Sequence, residues 1–485
     1  MATLQEVVAE TAETKEYSVP ASFENHTQNI ELDTLPSLPP TASPSDLEQT
    51  FHENTDTTVT RNEISHAPVD GGLEAWSFLA AAFAVDAIVW SFPFAFGVFL
   101  SVYLKDPRWI SQKHAYTLLP LTGTLSTGLI YCSGAFINPL LGRYPQYRRM
   151  AIWCGAVICG SSLLAASFAS DVIYLVVTQG CLYGIGGGLT YYPTLSFMQE
   201  WFVRRRGLAN GVMFTGTSIV GLFLPLVLPR IISSHGTSLT LRYFAISIFV
   251  ALAVVVPFIK PRLPVQTVHG PRTRSSEKPW LKNWTWWFVL LMNTVQGFAH
   301  FVPVVWLPTY TSALNASAST ASLSLALLNA ATAIGQFSMG LLSDHFSPWP
   351  LAAITLSCCS LATFILWGVA GYAVAGILVY GTCFGILVGG FSSLYTGFVK
   401  PIAKDDTLLS VQLFGLLLFS RGLGNVLSTP ISTALSASTH IIAHQRTGFD
   451  VDGGRYEKMI IYVGSCLAGA AVVALGGWMR ERIGR

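Results

Sequence analysis

The sequence predicts an all-α integral membrane protein: twelve transmembrane helices in two six-helix bundles. Three observations predict it. Only 11% of the 485 residues are charged and 51% are apolar, with a mean hydropathy of +0.50; an ordinary soluble domain carries about 25% charge. Apolar stretches of about 20–27 residues recur from Trp76 onward, each long enough to cross ~30 Å of hydrocarbon. The longest basic interruption, 260–283, falls midway between them.

Residues 1–70 come first and are of another kind. They are rich in Glu, Asp, Thr, Ser and Pro, and Leu35–Pro44 alone holds four prolines. Such a segment buries too little apolar surface to offset its ordering entropy, so a disordered acidic cytoplasmic tail is expected. It has no basic start or apolar core of a signal peptide. The first span follows at 76–104 and the second at 115–141, closed by Arg143. The third, 150–169, starts after Arg148 and Arg149, and the fourth, 171–197, carries the run Gly184-Ile185-Gly186-Gly187-Gly188. The fifth, 207–229, opens after Arg204, Arg205 and Arg206; the sixth, 241–259, stops at Lys260. The second half repeats the rhythm at 284–310, 320–343, 350–369, 372–398, 407–437 and 456–479, with Arg480, Arg482 and Arg485 closing the chain. A closed β-barrel is excluded, because its strands would alternate apolar and polar residues.

Lys and Arg placement sets the expected orientation. With the N-terminal tail in the cytoplasm, seventeen of the bases fall on inner loops and eight on outer ones. Both termini are therefore expected inside, in a multi-pass protein of the plasma membrane by default. The expected organisation is a tail (1–70), a six-helix bundle (71–259), a basic cytoplasmic linker (260–283), a second bundle (284–479) and a short tail (480–485). Two matched halves are what an alternating-access carrier requires. The bases sit in short clusters between apolar runs, which does not suit a nucleic-acid partner. The eight cysteines lie inside apolar stretches without a Cys/His cluster, so no metal site and no disulfide framework is expected. No catalytic constellation and no nucleotide-binding loop appears, so the chain is read as neither an enzyme nor a user of ATP or another cofactor. Energy must come from a solute gradient or a coupled ion, with the proton as the candidate.

Polar groups at membrane depth are functional candidates by default. Two formal charges lie well inside the spans. Asp86 is ten residues into the first and Arg421 fourteen into the eleventh. At 1.5 Å per residue they sit ~15 and ~21 Å from the same face, placed to pair near the midplane. They serve either as a fixed ion pair joining two helices or as a site where Arg421 attracts an anionic solute and Asp86 titrates with it. Asn293, Gln296 and His300 share one face of the seventh span by their spacing, and Asn329, Thr332 and Gln336 one face of the eighth. These faces suit hydrogen bonding to a solute, or equally bonding between helices. The glycine run of the fourth span reads as close helix contact. Tyr183, Tyr191 and Tyr192, with Phe384 and Tyr395, are packing residues or the wall of an aromatic cavity.

Three segments resemble the monocarboxylate-porter branch of the major facilitator superfamily, particularly its fungal members. Asp70-Gly71-Gly72-Leu73-Glu74-Ala75-Trp76 is similar to that family's lead into its first helix. Trp201 through Gly211, continuing to Gly216 and Gly221, is similar to the start of its fifth. Arg421-Gly422-Leu423-Gly424-Asn425-Val426 with Pro430-Ile431-Ser432 resembles the eleventh-helix signature of fungal members. The resemblance implies a major facilitator fold over about 70–479. The departures bear on function. The lysine that proton/lactate carriers have after a Phe-Pro is Phe94 here, and their Asp and Arg before a Ser-Met-Gly are Thr332 and Gln336. The proton–lactate mechanism is therefore not carried over. Fungal relatives of this kind resemble exporters of specialised metabolites, while others take up vitamins or organic acids. The expected task is efflux of a small organic product, a polyketide-like compound or aromatic acid, by proton exchange or facilitated diffusion. Uptake of a monocarboxylate or vitamin is the alternative. A nutrient sensor on the same fold is a further one, disfavoured by the short terminal segments. The expected partners are the organic solute, protons and membrane lipid.

Overall fold

The computed structural model describes residues 68–263, 279–404, 406–436 and 446–483. Most of the acidic 1–70 segment, residues 264–278 of the basic linker and the last two residues lie outside them. Every long element among the described residues is helical: α1 (Gly72–Tyr103), α2 (Ala115–Arg143), α3 (Pro145–Ala166), α4 (Val172–Trp201), α5 (Arg206–Phe258), α6 (Trp284–Ala313), α7 (Ser319–His345), α8 (Pro348–Tyr372), α9 (Val374–Ala403), α10 (Thr407–Leu435) and α11 (Glu457–Ile483). Their starts are written locally. Side-chain oxygens of Asp171, Asn283, Ser317 and Asp406 accept from backbone N–H groups of the first turns of α4, α6, α7 and α10. Prolines such as Pro93, Pro193 and Pro303 lie inside helices, which membrane helices tolerate when neighbours satisfy the freed backbone groups.

Ten of these runs are long and apolar enough to cross a membrane by length and composition. The expected count of twelve differs in two places. α2 is not among the ten, although it is a continuous helix of 29 residues; its threonines, serines, glycines and two prolines dilute its apolar character. α5 contains both the fifth and the sixth expected spans. These are two helices that meet directly at a kink at Gly236, whose φ of +78° lies in the left-handed region that glycine adopts without strain.

The N-terminal limb of α5 packs against α1 on one side and α7 on the other, and α10 packs against α2 and α6. Thus α5 with α7, and α2 with α10, are the seams that join the first half of the chain to the second. Small residues make the approach close: a Cβ on Gly211 would stand 3.1 Å from the Gly340 Cα, and one on Gly340 would stand 3.0 Å from the Gly211 Cα. At the end of the same seam the Asp344 carboxylate accepts the N–H groups of Gly207 and Leu208, each at 2.8 Å. These are free donors of the first α5 turn, where helix polarity favours an anion.

Two of the segments that carry the family resemblance meet here. Asp70 has a φ of 60°. Its carboxylate accepts the N–H groups of Val203, Arg204 and Arg205 at 2.9–3.1 Å, and its own N–H donates to the Trp201 carbonyl at 3.0 Å. Partial burial pushes this carboxyl up, but the backbone donors outweigh it and hold it below its ordinary value of 3.8. The latch is therefore complete above the ordinary carboxylate range and is lost only as pH falls through the lowered value. Asp70→Ala is expected to lower stability by roughly 1–3 kcal/mol at neutral pH, since three donors lose their acceptor. A thermal midpoint in detergent equal to that of the native protein would refute it.

Candidate functional site

A cavity with about 70 Å³ open to the centres of water molecules lies between the two halves of the chain. Eight helices wall it. α1 gives Asp86, Trp90 and Phe94; α2 and α4 give Tyr131 and Tyr191; α5 gives Phe214, Thr217 and Ser218. From the second half α6 gives His300 and Phe301, α7 gives Asn329, Thr332 and Gln336, α9 gives Ser392 and α10 gives Arg421. Six of the eight polar residues singled out from sequence therefore share one cavity: Asp86, His300, Asn329, Thr332, Gln336 and Arg421.

Asp86 is fully buried. Its Oδ2 accepts the Thr217 N–H at 2.8 Å and the Thr217 hydroxyl at 2.5 Å, while Oδ1 has no protein partner. Arg421 is 4% exposed, and its Nη1 donates to Gln296 Oε1 at 3.1 Å. The guanidinium carbon stands 5.4 Å from the Phe301 ring centre, within cation–π range. The expected Asp86–Arg421 pairing is not formed. The ion pairs among the described residues lie elsewhere. The physical reason is competition: α5 supplies two donors to the carboxylate, and α6 supplies a neutral amide to the cation. The cavity thus holds one carboxyl and one guanidinium apart.

Asn293 and Gln296 do not line the cavity. Asn293 Nδ2 donates to the Leu417 carbonyl at 2.8 Å and to Ser420 Oγ at 2.6 Å, and its Oδ1 accepts the Tyr395 hydroxyl at 2.6 Å. It ties α6 to α9 and α10. Asn293→Ala is expected to cost about 1–2 kcal/mol of stability with little change in solute preference; thermal unfolding and transport competition measured together check both halves of that statement. Gln296 stands behind Arg421 as its hydrogen-bond acceptor. The α7 amides are half engaged at the seam. Gln336 Oε1 accepts the Ser218 hydroxyl at 2.8 Å, and Asn329 Nδ2 donates to the Gly221 carbonyl at 3.0 Å. The His300 ring stacks on Phe384 with centres 6.1 Å apart, and its Nδ1 has no protein partner.

The aromatic wall was only partly foreseen. Tyr191 lines the cavity, whereas the Tyr183 and Tyr192 hydroxyls donate to the carbonyls of Val89 and Tyr131 as packing struts. Trp90 and Tyr131 were not singled out. Their rings lie 4.6 Å apart, Tyr191 meets Trp90 edge-on at 5.8 Å, and Tyr131 meets Phe301 at 6.0 Å across the two halves. One signal for Trp90 was available: it is four residues after Asp86 and so shares its helix face. Thr217, the partner of Asp86, carried no such signal, because its contact is between helices.

Comparisons with known proteins agree with this architecture. The chain is 24% identical over 409 residues to the MFS-type transporter pynF of Aspergillus niger, covering 84% of this chain and 88% of that one. It is 24% identical over 458 residues to the fujikurins efflux protein of Gibberella fujikuroi, covering 90% of each. Among solved structures, the proton:xylose symporter XylE bound to 6-bromo-6-deoxy-D-glucose superposes with a TM-score of 0.60 at 14% identity, over 82% of this chain and 94% of that one. That likeness concerns the fold alone. The sequence profile described as Major Facilitator Superfamily matches residues 78–429, so the chain belongs to that superfamily and is a multi-pass membrane transporter rather than an enzyme.

Proposed function

We propose that this transporter exports a small organic product of specialised metabolism by alternating access, with 76–259 rocking against 284–479 about the cavity. The observation that carries this reading is the cavity itself. Both halves wall it, and its Asp86 and Arg421 lie deep in apolar helices, where ionisable groups are rare outside solute pathways. The names of relatives such as the fujikurins efflux protein support export. The motif resemblance to the fungal monocarboxylate-porter branch is compatible with it. The absence of a nucleotide-binding loop from the sequence leaves the solute gradient or a proton gradient as the energy source. The distribution of Lys and Arg supports cytoplasmic termini, and the plasma membrane is the proposed location.

Metabolite profiling of a strain lacking the gene tests the reading. A product that falls outside the cells and rises within them is the expected result, restored by the native gene. Inward, pH-driven accumulation of a labelled monocarboxylate or vitamin by cells expressing the protein would instead establish uptake.

A further inference from the structure

We propose that the cavity takes a flat, conjugated organic monoanion that bridges two groups the protein keeps apart, its acid end on Arg421 and a hydroxyl on Asp86. The inference rests on the carrier reading above and names its solute class.

Arg421 is buried, lines the cavity and donates to a neutral amide, that of Gln296, rather than to a carboxylate. A guanidinium offers five donors in a planar fork. Gln296 accepts one bond and the Tyr131 and Tyr395 hydroxyls stand against the guanidinium; a carboxylate or enolate matches the donors that remain in a two-pronged arrangement. A neutral solute would leave the cation without a counter-charge in a low-dielectric site. A dianion would find a single guanidinium and meet Asp86 on the opposite wall. At that wall Asp86 Oδ1 is a buried acceptor without a protein partner. A hydroxyl of the ligand supplies the missing donor, since a buried unsatisfied acceptor is costly.

The body of the ligand follows from what stands between these ends. Trp90, Tyr131 and Tyr191 form one aromatic cluster, and Phe301 closes towards Tyr131 from the second half. Such faces favour a planar π system over a saturated chain, by stacking or edge contact. Phe301 also holds the guanidinium against its ring.

The test uses the full-length protein purified in detergent and equilibrium binding of para-hydroxycinnamate, its amide, its methyl ether and its ring-saturated analogue. The acid is expected to bind about tenfold or more tightly than the amide. The methyl ether and the saturated analogue are each expected to bind several-fold more weakly than the acid. Arg421→Gln should abolish the acid-over-amide preference, and Arg421→Lys should keep part of it, which separates loss of charge from loss of fold. The comparison in the native protein needs no variant. Equal binding of acid and amide overturns the proposal, as does equal binding of the saturated analogue. If no probe binds while the deletion strain shows the export defect, the ligand class is wrong and the carrier reading stands. Selective acid binding without any export defect supports the class and sinks the export reading.

Discussion

Arg421→Ala is expected to reduce transport by at least ~30-fold at unchanged surface abundance. The variant deletes the cavity's cation, leaves Gln296 Oε1 without its donor and removes the group held against Phe301. Losing a desolvated, hydrogen-bonded charge from a binding site typically costs 2–5 kcal/mol, which is the source of that factor. The alternative is that Arg421 only fastens α10 to α6. In that case the damage would appear as lower stability and abundance, with transport per molecule preserved. Measuring flux per surface-labelled copy separates the two, and native flux per copy would sink the functional role.

The second large effect is expected at the seam. Gly211→Ala should open α5 from α7, because even a methyl group there meets backbone: 3.1 Å to the Gly340 Cα and less to the Gln336 carbonyl. Backbone cannot rotate away as a side chain can, so the helices must separate. Overpacking of this kind costs about 1–3 kcal/mol. Applied to the closed seam alone, that shifts the balance between seam-closed and seam-open conformers by roughly 5- to 150-fold. A reporter cysteine at Ser343, half-buried beside Gly207, reads it in a background without the native cysteines. Its alkylation should speed up by about that factor in the Gly211→Ala protein. An unchanged rate would mean that this seam does not govern access.

The Asp70 latch and the Asn293 tie are the smaller effects, and they show why motif and role differ. Asp70 stood out in the sequence because it opens a motif, yet its partners are backbone N–H groups of 203–205, which no side-chain pattern reveals. Asn293 shares a helix face with His300 by spacing, but α10 covers its end of that face and leaves His300 against the cavity. A face is legible from periodicity; how far along it a neighbouring helix reaches is not.

The sequence by itself determined the membrane character, the placement of nearly every long apolar helix and the two charges deep within them. These follow from transfer free energy and from counting residues along a helix of fixed rise, both of which are local. The tertiary structure alone decided that Asp86 turns to Thr217 and Arg421 to Gln296, that two helices meet directly at Gly236, and that Trp90, Tyr131 and Phe301 form a single wall. Each of those outcomes is a choice among partners on different helices. Polar groups in an apolar medium take the nearest well-oriented partner, and only the packing of helices determines which partner that is.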